Sequence, residues 1–106
     1  MFRWDLRTRP AEFMFSLMRI EKSSRTVFTP LADGTGVLLN LDTLLYFSLN
    51  RTGTQLWQQI DSNPLITMDD LLRETCKQFE VTEVAAHQSI SAFIRQLEQL
   101  KMIRLV

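Results

Sequence analysis

The sequence predicts an α+β fold: a three-stranded antiparallel meander, then three helices and a terminal strand. Three observations predict it. Short apolar runs between residues 27 and 49 are separated by turn chemistry. At Asn50 the apolar period changes from that of a strand to that of a helix. Finally, Ala86, Ile90, Phe93, Leu97 and Leu100 recur at spacings of 4, 3, 4 and 3, a continuous helical core stripe.

Taken in order, residues 1–26 form an extension and residues 27–106 the main domain. From Pro10 to Lys22 the pattern is helical, with Pro10 tolerated in a first turn. Its apolar residues Phe13, Met14, Phe15, Leu17, Met18 and Ile20 make a stripe wider than a one-faced surface helix needs. The stripe calls for a cover: the rest of the domain, a second copy in a homodimer, or a partner docking on Phe13, Leu17 and Met18. Val27–Pro30 reads as a short strand ending at proline, and Asp33-Gly34-Thr35-Gly36 as a hairpin turn. Val37–Leu39 is a second strand and Asn40–Thr43 a second turn. Leu44, Leu45, Tyr46, Phe47, Ser48 and Leu49 form a third strand with no Lys or Pro to blunt it as an edge.

Asn50 suits the N-cap of a helix carrying Leu56, Trp57 and Ile60, which stops at Asp61-Ser62-Asn63-Pro64. Thr67 and Asp70 resemble a capping box for a second helix with Met68, Leu71, Leu72, Cys76 and Phe79. Thr82 caps the longest helix, running to about Lys101, and Ile103–Val106 reads as a last strand. Three helices with a sheet and a terminal strand describe a winged-helix-like body.

Composition excludes several functions. The 106 residues carry 12 basic and 12 acidic side chains. Residues 1–26 hold six basic against three acidic, which leaves the main domain mildly acidic. That disfavours a nucleic-acid partner, whose affinity comes largely from neutralised phosphates. A winged-helix DNA-binding regulator remains the alternative class, because glutamines on the last helix are able to read bases. No apolar run approaches the roughly 18 residues of a membrane span. The lone Cys76 forms no internal disulfide, which fits a reducing cytoplasm. His87 stands alone on its helix and Cys76 lacks a CxxC partner, so neither a metal site nor any other cofactor is expected. No serine sits in a nucleophile-elbow pattern, and no catalytic residue is assigned.

The segment Leu44-Leu45-Tyr46-Phe47-Ser48-Leu49-Asn50-Arg51-Thr52-Gly53-Thr54-Gln55-Leu56-Trp57 resembles the signature of PqqD-like proteins. These are the precursor-peptide recognition elements of ribosomally made, post-translationally modified peptides. The resemblance spans about residues 27–106. Asn50, Gly53 and Trp57 also have structural tasks: a helix cap, a close approach of helix to sheet, and a large core contact. The sequence departs from the family where Lys101-Met102 stand at the end of the last helix in place of a glycine. The apolar extension also lies outside the family pattern.

The resemblance implies a non-catalytic module whose third strand, Leu44 to Leu49, accepts the precursor's leader as an added strand beside the last helix. Partners are then the leader peptide and a modifying enzyme, of the radical S-adenosylmethionine type. On that helix, at ~100° per residue, Ile94 lies on one flank of the core stripe, with His87 and Ser91 further round. An exposed Ile94 with His87 and Ser91 is the expected leader pocket. The opposite flank, Ala85, Ser89 and Ala92, is small and open as a second choice.

Overall fold

A computed structural model describes residues 17–79 and 82–106 of the chain. Strand β1 (Ile20–Lys22) leads through a tight turn at Ser23 into β2 (Thr26–Pro30), β3 (Gly36–Asn40) and β4 (Tyr46–Leu49). Helices α1 (Arg51–Ser62), α2 (Met68–Phe79) and α3 (Glu83–Gln99) follow, and β5 (Ile103–Leu105) ends the chain. The meander forms an antiparallel sheet in the order β2-β3-β4, while β1 and β5 pair as a separate two-stranded sheet. The expected α+β order of meander, three helices and terminal strand is the observed one.

The predicted helix caps are present. Asn50 Oδ1 accepts from Gly53 N at 2.7 Å. Thr67 and Asp70 bond reciprocally, Asp70 N to Thr67 Oγ1 and Thr67 N to Asp70 Oδ2, each at 3.1 Å. Thr82 Oγ1 accepts from Ala85 N at 3.2 Å. Each cap satisfies an amide that the first helical turn leaves without a partner.

Two expectations about the strands are corrected. The helical pattern read from Pro10 to Lys22 ends early: Ile20–Lys22 is strand β1, with Ile20 opposite Leu105 and fully buried. Its amide donates to Ile66 O at 2.9 Å, so this part of residues 1–26 is woven into the main domain. The remainder of that expectation, Phe13 included, lies outside the described residues. Leu17 is exposed and Met18 half-buried.

The third strand is also shorter than read. Leu44 has φ +61°, in the left-handed region, and with Leu45 it belongs to the turn before β4. An α-type turn needs that conformation here: Leu44 N donates to Asn40 O at 2.8 Å, and Asn40 N to Leu45 O at 2.9 Å. Apolar residues in sequence give no sign of such a turn.

Helix α3 ends without glycine in a Schellman motif. Lys101 itself takes φ +57°, Lys101 N donates to Glu98 O at 3.0 Å and Met102 N to Leu97 O at 2.9 Å. Met102 and Leu97 are both fully buried, supplying the apolar contact that accompanies this cap.

Candidate peptide-binding site

Hydrogen-bond alternation in the meander decides which backbone groups are available. In an antiparallel pair, successive residues point their N–H and C=O groups to opposite sides. Leu41 N donates to Arg25 O, so Leu39 and Val37 face β2, and Asn40, Leu38 and Gly36 face β4. Asn40 N donates to Leu45 O, and in that register Phe47 and Leu49 direct their backbone groups into the sheet. Tyr46 and Ser48 therefore present theirs at the outer edge of β4, which pairs with no other described strand. The same alternation places Pro30, opposite Gly36, with its missing N–H toward the free edge of β2, where it does no harm.

Side chains alternate the other way. Leu49 is buried and Phe47 half-buried on the inner face, while Tyr46 is 70% exposed. Beside them runs a groove of about 650 Å³, walled by β4 on one side and α3 on the other, with the start of α1 and the end of α2 behind. From α3 it is lined by Ala85, Ser89, Phe93 and Gln96, one row at spacings of 4, 4 and 3. The rings of Phe47 and Phe93 meet edge to face, with centroids 6.2 Å apart and an interplanar angle of 63°. Gly53 makes room for this pair. A Cβ there would lie 3.5 Å from Phe93 Cε1, 3.4 Å from Leu49 Cδ2 and 3.3 Å from Asn50 Oδ1.

The expected exposure of the Ile94 flank is corrected. Ile94 has no exposed surface and belongs to the core with Ile20, Met102 and Ile103. His87 and Ser91 lie on that same side, half-buried, and neither lines the groove. Phe93, read as a core position, is the residue turned toward β4. The reason lies in the β1–β5 sheet: β5 packs against α3, and Ile20 and Ile103 share the buried core with Ile94. With Ile20 read as helical, that packing was invisible in the sequence. Of the opposite flank, Ala85 and Ser89 line the groove and Ala92 does not. Sequence reasoning assigned none of the lining residues on α1 and α2 to a site, and on the groove-facing row of α3 it missed Gln96 and Phe93. Their signal is the 4-4-3 row they form with Ala85 and Ser89.

In the turn before β4 and at its first residue, Leu41, Leu44, Leu45 and Tyr46 are exposed apolar residues. Among the described residues, no Lys, Arg, Asp or Glu lines the groove. Among the described residues, no cluster of three or more His, Cys, Asp or Glu is placed to hold a metal ion. No helix among them is long and apolar enough to cross a membrane.

Comparison with known proteins bears on this geometry. The sequence model of the family described as Coenzyme PQQ synthesis protein D (PqqD) matches residues 35–103. That span runs from the β2–β3 turn to β5 and contains β4 and all three helices. No curated protein matches the chain. Two solved structures are similar in fold. One is described as TbiB1 in complex with the TbiA(beta) leader peptide: TM-score 0.72, 21% identity, covering 79% of this chain and 94% of that one. The other is described as lasso peptide synthetase B1 complexed with the leader peptide: TM-score 0.67, 21% identity, covering 81% and 98%. With well over half its length matched, edge strand and helical body included, the chain belongs to the PqqD family.

Proposed function

We propose that this protein binds the leader of a ribosomally made precursor peptide as a strand added to β4, and presents it to a modifying enzyme without itself doing chemistry. The observation that carries the reading is the outward N–H and C=O groups of Tyr46 and Ser48, placed beside an apolar groove. Backbone bonding at such an edge gives affinity with little sequence demand, and the groove gives specificity. A leader strand lying on β4 would direct alternate side chains, on the Phe47 face, toward Phe93, Ser89 and Ala85. Tyr46, Phe47, Ser48 and Leu49 then form the strand side of the site, with Leu44 and Leu45 as its apolar approach. The two similar structures, both holding leader peptides, support this reading. The absence of Lys and Arg among the described residues that line the groove counts against the DNA-binding alternative.

The enzyme partner in this proposal is of the radical S-adenosylmethionine class, and the setting is the reducing cytoplasm, consistent with the free thiol of Cys76. Leu17 and Met18 are proposed to contribute to enzyme docking or to a homodimer contact. A direct test is fluorescence anisotropy with a labelled synthetic leader of the precursor encoded beside this gene, with random duplex DNA in parallel. Saturable peptide binding without a DNA response is expected. DNA binding without a peptide response would defeat the proposal.

A further inference from the structure

The two walls of the groove are joined at a buried asparagine. Asn40, the last residue of β3, is 2% exposed. Its Nδ2 donates to Leu100 O at 3.0 Å and to Lys101 O at 3.1 Å, the carbonyls that end α3. Its Oδ1 accepts from Asp42 N at 2.9 Å and Thr43 N at 3.3 Å, in the turn that leads to β4. Both amide hydrogens and both lone pairs of the carboxamide are thus used, one pair toward each wall. The backbone of the same residue holds Leu44 and Leu45, as described above. A fully satisfied buried polar group of this kind fixes one arrangement, because every alternative leaves a buried donor or acceptor unmatched.

Its place along the groove is at one end. The row on α3 runs from Ala85 through Phe93, which lies against Gly53 at the start of α1, to Gln96, and the helix ends at Leu100 beside Asn40. Phe93 and Phe47 meet midway. Asn40 is thus bonded both to the end of α3 and to the turn that leads into β4. Thr26, opposite Asn40 on β2, makes a comparable buried bond, Oγ1 to Met102 O at 3.1 Å, but reaches neither β4 nor its turn.

We propose that Asn40 is the positioning residue of the groove: it sets the spacing between β4 and α3, and peptide affinity depends on it beyond its contribution to stability. The statement about affinity rests on the peptide-binding reading, whereas the statement about spacing does not. An added strand must lie about 4.8 Å from β4 while its side chains seat on α3, so the helix must stand at one distance.

The test compares Asn40→Asp with Thr26→Val. Asn40→Asp keeps the shape and the acceptor bonds to the turn, but turns a carboxylate oxygen toward the Leu100 and Lys101 carbonyls. Thr26→Val removes one buried hydrogen bond at the same helix end without touching the groove. Nitroxides attached at Leu45→Cys and Gln99→Cys, in a Cys76→Ser background, report the wall spacing without any peptide. In Asn40→Asp the distance distribution is expected to shift or broaden by at least about 1 Å. Affinity for the labelled synthetic leader is expected to fall at least about tenfold. Thr26→Val should lower the unfolding midpoint and leave both readings unchanged. Should Asn40→Asp fail to fold, Asn40→Ser is measured by the same criteria. An unchanged distribution in a folded Asn40 variant overturns the proposal, as does an equal loss of affinity in Thr26→Val. A changed distribution in a protein whose parent binds no leader sustains the positioning role and defeats the peptide reading instead.

Discussion

Replacing Ser48 with proline separates the outer edge of β4 from its inner one. Ser48 points its N–H and C=O away from β3, so proline there removes no bond of the meander. The residue before it, Phe47, is already extended, as a residue preceding proline prefers. For an added strand the change is severe. The donor is gone, and the ring's Cδ occupies the space where the partner carbonyl would approach. Two ladder bonds, at about 1 kcal/mol each, are then lost or displaced. The sum, about 2 kcal/mol, corresponds to roughly a thirtyfold weaker Kd for a leader peptide. Phe47→Pro is the informative contrast, because its N–H lies on the β3 side and its loss breaks the sheet itself. Circular dichroism and thermal unfolding should show Ser48→Pro folded and Phe47→Pro strongly destabilised. Fluorescence anisotropy with a labelled leader supplies the affinities. A folded Ser48→Pro protein that binds leader as tightly as the parent would refute strand addition at this edge.

Other predictions rest on single contacts. Phe47→Ala and Phe93→Ala should each weaken leader binding, and a double-mutant cycle on unfolding should return about 1 kcal/mol of coupling for the edge-to-face pair. Additive effects would mean that the rings do not interact. Lys101→Gly should stabilise the fold by up to about 1 kcal/mol, since Lys101 holds a left-handed conformation that glycine adopts without strain. A lower denaturation midpoint would show that the lysine side chain matters there. Asp33 accepts from the Thr35 hydroxyl and amide, and these bonds, with the Arg51 charge, hold its carboxyl below the ordinary 3.8. Its stabilising contribution is present above that value and fades as pH falls through the lower folded-state value. The difference in unfolding midpoint between the parent and Asp33→Asn should therefore shrink below pH 3.8.

Much of this fold is legible in the sequence because its signals are local. Asn50, Thr67 with Asp70, and Thr82 cap the helices that follow them, and each acts within three residues. The Asp33-Gly34 turn is equally local: Gly34 has φ +88° and Asp33 accepts from Thr35. What the sequence hides is long-range. Ile20 and Leu105 are far apart in the chain, and only their pairing shows that Ile20–Lys22 is a strand. That pairing in turn decides the rotation of α3. Ala86, Ile90 and Leu97 leave Phe93 and Ile94 as competing flanks, and Ile20 and Ile103 of the β1–β5 sheet share the buried core with Ile94. The turn at Leu44 is hidden for a similar reason. It is built by Asn40, whose carboxamide is held by carbonyls about sixty residues further along. Residue pattern placed the edge strand two residues too early, at Leu44, and the family resemblance carried no information on which of its residues face outward.

Strand addition at β4 depends most directly on the outward-facing amides of Tyr46 and Ser48. Hydrogen exchange of backbone amides, followed by NMR with and without the synthetic leader, reads those two groups individually. Exchange at Tyr46 and Ser48 should slow markedly on binding, while Phe47 and Leu49, already bonded to β3, should change little. Saturable binding that leaves Tyr46 and Ser48 as fast as before would show that the leader docks elsewhere and would contradict strand addition at β4.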